Sequence, residues 1–163
     1  MSQVDDVVVP LLSARIFSGL APFQLKTLAL QAETVSFNRG DTIIKAYQEG
    51  DGAYLVGSGA VVEEQDESEG EPTTEFGTGT MIGEMAMLVE TLHSATVVAR
   101  TPVKALKFRR ESLHALMEKD PALSEHFVDK MRQRLVDTAN RLRDVERTFG
   151  DPLPQLGHVR ALS

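Results

Sequence analysis

The sequence predicts a mainly β domain with flanking helices. Two observations carry this. Between residues 35 and 110 apolar residues come in short, often alternating runs, with glycine-containing turns about every 8–12 residues. On either side of that window the apolar residues recur at helical spacing instead. Nine of the twelve glycines lie between 40 and 83, so the turns are concentrated where the strands are expected.

Residues 10–35 read as short helices. The stretch Ser18-Gly19-Leu20-Ala21-Pro22 is a break, and Pro22 suits the first turn of a helix carrying Phe23, Leu25, Leu28, Ala29 and Leu30. Strand runs follow: Val35-Ser36-Phe37, Ile43-Ile44, Ala53-Tyr54-Leu55-Val56, Ala60-Val61-Val62, Ala95-Thr96-Val97-Val98-Ala99 and Val103 to Phe108. Turns at Asn38-Arg39-Gly40-Asp41, Gly50-Asp51-Gly52, Ser58-Gly59 and Gly77/Gly79 separate them, the pattern of an antiparallel sandwich or barrel. The acidic run from Glu63 to Glu75, around Gly70 and Pro72, reads as a mobile, self-repelling loop. Glu111 to Lys119 reads as a short helix stopped near Asp120-Pro121.

A long helix then runs from about 122 to 148. Val128, Met131, Leu135, Thr138, Leu142, Val145 and Phe149 repeat at alternating spacings of 3 and 4, an a/d seam with one polar member. Such a stripe packs either on the protein's own sheet or on a second copy. A self-packing helix would show a broader apolar face, so a homodimer through residues 122–149 is expected. The expected organisation is residues 10–120, a helix over 121–149, and a flexible tail over 150–163.

Composition narrows the chemistry. The chain has 163 residues, 42% of them hydrophobic, and a net charge of −7. Cysteine is absent, which excludes disulfides, iron–sulfur clusters and thiol catalysis. No apolar run is long enough to span a membrane, and Asp5 and Asp6 stand where a signal peptide would be basic, so a cytoplasmic protein is expected. Residues 1–103 carry 5 basic and 15 acidic side chains, and residues 104–148 carry 11 and 8. The basic excess lies on a mixed-sign helix and the pI is about 5.1, which speaks against direct nucleic-acid binding. His114, His126 and His158 are scattered, without metal-ligand spacing, and no nucleophile elbow or P-loop occurs. Neither an enzyme nor a metal protein is expected.

The informative stretch is Phe76-Gly77-Thr78-Gly79-Thr80-Met81-Ile82-Gly83-Glu84-Met85-Ala86-Met87-Leu88, followed by Val89-Glu90-Thr91-Leu92-His93-Ser94-Ala95-Thr96. It reads as a glycine-rich turn, a single helical turn and re-entry into a strand. Glycine lets backbone approach a ligand, N–H groups opening the turn can face an anion, and Glu84 can accept from sugar hydroxyls. A small phosphorylated sugar suits such a pocket. From Ile16-Phe17-Ser18-Gly19-Leu20 to about residue 147, through Arg39-Gly40-Asp41, Gly50-Asp51 and Tyr54-Leu55-Val56 with Ser58-Gly59, the chain resembles the cyclic nucleotide-binding domain of the catabolite activator protein and of kinase and channel regulators.

The resemblance implies an eight-stranded antiparallel jelly roll (a double-stranded β-helix) with N-terminal helices and a long C-terminal helix. It implies that Gly83 admits the ligand closely and that Glu84 holds the ribose 2′-hydroxyl. Met85, Ala86, Ser94 and Ala95 would offer donors to the cyclic phosphate. Thr138-Ala139 stands where the family has a Thr–Ser pair reading adenine across the dimer; the other reading of Thr138 is a small residue tolerated in the seam. His93 stands where the family has an arginine. A histidine cannot grip phosphate bidentately, and its ordinary pKa of roughly 6.5 leaves it only partly charged at neutral pH. Glu90 adds a carboxylate nearby.

The expectation is therefore a regulatory sensor that binds cAMP or cGMP weakly or pH-dependently and acts on a partner protein in trans. The residues after the long helix are too few for a DNA-binding domain. The alternative is a degenerate domain that serves only for dimerisation or scaffolding. Binding of another small ligand also stays open.

Overall fold

The computed structural model describes residue 11, residues 14–64 and residues 74–149, with side chains to 147. Among the described residues, eight strands form two antiparallel sheets of four. One has the order β1 (Glu33–Phe37), β8 (Val103–Arg109), β3 (Gly52–Ser58), β6 (Met81–Ile82). The other has β2 (Thr42–Ile44), β7 (Thr96–Ala99), β4 (Val61–Glu64), β5 (Thr74–Phe76).

Period-two patterning explains the core. Val103 and Ala105 of β8, Val56 of β3, Val61 of β4 and Val97 and Ala99 of β7 form one cluster drawn from both sheets. Strand β8 is covered on its other face too. Leu106 and Phe108 are buried there, and Phe108 meets Phe17 of a 3₁₀ turn (Arg15–Phe17) with ring centroids 5.2 Å apart. Burying a ring such as Phe17 stabilises the domain by about 1.5–3 kcal/mol.

Several sequence expectations shift here. Helix α1 (Pro22–Gln31) starts at the proline as expected but stops before 35, because Ala32 turns extended and Glu33 to Phe37 pair with β8. The two ends of the acidic run are strand and not loop. Glu63 and Glu64 continue β4, and Thr74-Glu75-Phe76 pairs with it, Val62 opposite Glu75. Alternation puts Val61 in the core, while Glu75 reaches Arg100 at 3.5 Å. Residues 65–73 lie outside the described residues, as does the tail at 150–163. Met81-Ile82, expected within a turn, is strand β6, because Ile82 reaches the core and pairs with Tyr54.

Helix α2 (Arg110–Lys119) and helix α3 (Pro121–Phe149) are separated at Asp120. The Asp120 carboxylate accepts from the Ala122 and Leu123 N–H groups at 3.1 and 3.2 Å, capping α3, and from the Gln24 side-chain amide at 3.1 Å. The Gln24 bond, with the two backbone bonds, holds this carboxyl below the usual aspartate range against a smaller opposing effect of burial.

The chain divides into two compact units, residues 1–124 and 125–163. On the second, Val128, Leu135, Leu142 and Val145 of the expected seam are exposed, Leu135 by 71%. Thr138 is exposed as well, and its hydroxyl donates to the Arg134 carbonyl at 2.9 Å.

Candidate functional site

The cassette over 83–96 is built on three elements of the first unit. It leaves β6, makes a 3₁₀ turn (Glu84–Met87) and re-enters β7. Gly83 opens the turn in the left-handed region at φ 66° and ψ 38°, a conformation that costs an L-residue about 1–2 kcal/mol. The Ala86 N–H donates to the Gly83 carbonyl at 3.0 Å, and the Leu88 and Val89 N–H groups donate to Met85 at 3.0 and 2.9 Å. Ala86 and Met87 are buried beneath the turn, whereas Glu84 and Met85 are half-buried.

His93 closes the other side. Its backbone pairs with the loop before β3: the His93 N–H donates to Gln48 at 3.0 Å, and the Tyr47 N–H donates to His93 at 2.8 Å. Tyr47 itself is left-handed at φ 66°, an uncommon place for an aromatic residue, and is 82% exposed. His93 is buried, with 8% exposure, and its imidazole lies against two glycines. A Cβ on Gly83 would lie 3.0 Å from His93 Cε1, and one on Gly50 would fall 2.3 Å from Nε2. The absence of side chains at both positions makes room for the ring. Burial pushes the imidazole below the ordinary histidine value, with the Asp51 carboxylate pulling the other way.

Of the residues singled out in the sequence, Gly83, Glu84, Met85, Ala86, His93, Ser94 and Ala95 all lie on this one cassette. Gly83 and His93 approach each other directly. Ser94 is exposed and Ala95 half-buried, followed by Thr96, whose hydroxyl accepts from the Ala46 N–H at 2.9 Å. Glu90 is exposed. Thr138 belongs to the second unit.

Sequence reasoning missed the part played by Gly50, Asp51 and Arg110. Gly50 read only as a turn. Asp51 bonds Lys107 and Arg109, both at 2.8 Å, and Arg109 also bonds Glu33 at 2.8 Å. The Lys107 bond holds the Asp51 carboxyl low, although burial opposes it. Arg110, at the first position of α2, donates to the carbonyls of Gly50 at 2.8 Å, Ala86 at 3.0 Å and Val89 at 3.3 Å. A cation at a helix N-terminus opposes the helix dipole, and that mismatch was the available signal that Arg110 has a specific partner. Among the described residues no group of three or more His, Asp and Glu side chains is arranged to hold a metal ion, and no helix is long and apolar enough to cross a membrane.

This geometry can be set beside known proteins. The sequence profile of the family described as Cyclic nucleotide-binding domain matches residues 34–120, which contain the whole cassette. A CRP-like cAMP-activated global transcriptional regulator of Mycobacterium tuberculosis is 28% identical over 134 residues, covering 81% of this chain and 60% of that protein. A cAMP-dependent protein kinase regulatory subunit of Emericella nidulans is 35% identical over 102 residues, covering 63% of this chain and 24% of that protein. The structure of a cyclic nucleotide-binding-like protein from Brucella abortus superimposes with a TM-score of 0.63 at 27% identity, covering 70% of this chain and 99% of that one. The chain thus spans 60% and 24% of the length of these two curated relatives.

Proposed function

The chain belongs to the cyclic nucleotide-binding domain family, and from that premise we propose that it is a non-enzymatic sensor whose 83–96 cassette binds cAMP or cGMP. The observation that carries the reading is the closure of left-handed Gly83 onto the His93 ring, within the span that matches the family. Glu84 takes the ribose hydroxyl, the cassette backbone with Ser94 and Ala95 takes the cyclic phosphate, and His93 supplies the side-chain donor. The eight strands are read as the family's jelly roll. The sensor acts in the cytoplasm on a partner protein in trans, and an acidic chain of this kind does not contact nucleic acid directly.

His93 sets the pH behaviour. In the empty protein its pKa lies below the ordinary value, so the ring is neutral above roughly pH 6.5. A bound phosphate monoanion favours the imidazolium, so binding takes up a proton and strengthens as pH falls. Folding stability runs the other way. A depressed pKa means the unfolded chain binds the proton first, so this contribution is complete above about 6.5 and fades as pH drops.

Calorimetric titration with cAMP and with cGMP at about pH 6 and about pH 8 tests the reading. Saturable binding, tighter at the lower pH, is expected. No heat at either pH with nucleotide at about millimolar concentration (a binding free energy of about −4 kcal/mol) would leave the alternative, a domain kept for dimerisation or scaffolding. The neutral His93 and the Ala86 N–H already bonded to Gly83 are what favour that alternative.

The second unit supports a homodimer. Val128, Leu135, Leu142 and Val145 present an exposed seam, and Thr138, which the resemblance matches to the first member of the family's base-reading pair, sits within it. In a parallel, in-register pair of α3 helices Arg141 lies at a g position and Glu146 at the e position of the next heptad, an attractive pairing across the seam. Leu135→Glu is expected to convert the dimer to a monomer. Light scattering at high protein concentration reads this, and a wild-type monomer under those conditions would sink the dimer.

A further inference from the structure

We propose that Arg110 is a positioning residue for the ligand cassette, holding it from behind without touching the ligand. The inference rests on the cyclic nucleotide reading. The Arg110 guanidinium is largely buried, with 17% side-chain exposure, and its Nη1 lies within 2.8–3.3 Å of the Gly50, Ala86 and Val89 carbonyls. Its other terminal nitrogen faces the Glu49 carboxylate at 3.8 Å. The Arg110 backbone N–H donates to the Asp51 carbonyl at 2.8 Å, so main chain and side chain grip both ends of the Gly50–Asp51 pair. One turn further along α2, His114 Nε2 donates to the Leu88 carbonyl at 2.7 Å in the Nε2–H tautomer. Three carbonyls at the exit of the cassette, from Ala86, Leu88 and Val89, thus end on two basic side chains of one helix face.

The consequence follows from the His93 wedge. Gly50 and Gly83 both lie against the imidazole, where a Cβ would fall 2.6 Å and 3.0 Å from Cε1. Arg110 ties Gly50 to the end of the 3₁₀ turn, and Gly83 begins that turn. Arg110, Gly50, His93 and Gly83 therefore form a closed ring of contacts, and the guanidinium sets the spacing of the cassette from His93. Nη1 carries two hydrogens, so two of the three carbonyls share one of them while Nη2 faces Glu49; a lysine ammonium can reach some of the carbonyls but has no second terminal nitrogen for the carboxylate, so it replaces the guanidinium only in part. A carbonyl left buried without a partner is expensive, so loss of Arg110 reopens this end of the cassette.

Amide exchange followed by NMR on the full chain without nucleotide, paired with cAMP titration at about pH 6, tests the assignment. In Arg110→Gln the Ala86, Leu88 and Val89 amides are expected to exchange at least about tenfold faster, while Leu55 and Val56 in β3 stay within about twofold of wild type. Affinity for cAMP is expected to fall at least about tenfold, with Arg110→Lys giving partial rescue. Unchanged cassette exchange in Arg110→Gln, or unchanged affinity despite faster exchange, overturns the proposal. If β3 loosens equally in Arg110→Gln, Arg110→Lys decides: faster cassette exchange with β3 intact supports positioning, and parallel loosening overturns it. If wild-type protein takes up no cAMP, the ligand reading fails, and the exchange pattern alone still decides whether Arg110 holds the cassette.

Discussion

Replacing Gly52 with alanine is expected to destabilise the domain by about 3 kcal/mol, at the upper end of what overpacking costs. The new Cβ would lie 2.3 Å from the Phe108 carbonyl oxygen and 3.0 Å from Arg109 Cα. Both are backbone atoms of β8, which pairs with β1 on one side and β3 on the other, so no rotamer change can relieve the clash. Either β3 separates from β8 or the Gly52–Arg109 end of the ladder breaks. Breaking it also disturbs the Asp51–Arg110 backbone bond and the Asp51 ion pairs with Lys107 and Arg109. Gly77→Ala is the natural control. Nothing lies within 4 Å of its Cβ, and its φ is not positive, so it should change stability by no more than about 0.5 kcal/mol. Urea unfolding midpoints read both. Equal midpoints for the two variants would show that β8 yields at this point.

The contrast between these glycines shows what a sequence discloses. Gly52 and Gly77 both read as turn residues, and composition gives no reason to rank them. Their difference depends on a strand some fifty positions away in the chain, so only the pairing with β8 reveals it. The strand runs themselves were legible as short apolar runs bounded by glycine-containing turns, and Val103, Ala105, Val56 and Val97 from them meet in the core between the sheets. The strands that escaped notice, β5 and β6, are short and depend on their partners rather than on their own propensities. Met81-Ile82 is strand because Tyr54 is opposite, and Glu75 is strand because Val62 is. The cassette was legible as a contiguous motif. Its supports, Gly50 and Arg110, were not, since they meet it only through the fold.

Restoring the family's arginine, His93→Arg, is expected to tighten cAMP binding by roughly one to two decades, the equivalent of about 1.5–3 kcal/mol for a charge-assisted bond. The gain should be largest at about pH 8, where the wild-type imidazole is neutral, and the wild-type pH dependence should disappear, because a guanidinium does not titrate in this range. The same substitution is expected to destabilise the empty protein. A permanent charge would replace a buried, neutral ring lying against Gly50 and Gly83, with the Asp51 carboxylate as the nearby counter-charge. Nucleotide should recover that loss, so the variant's unfolding midpoint will depend on cAMP more steeply than the wild type's. The two readouts move in opposite directions only if position 93 faces the phosphate. Were His93 merely a wedge filling the space left by two glycines, arginine would lower stability and leave both the affinity and its pH dependence as they were. A titration at the two pH values, with urea unfolding at each nucleotide concentration, separates a residue that senses charge from one that only fills space.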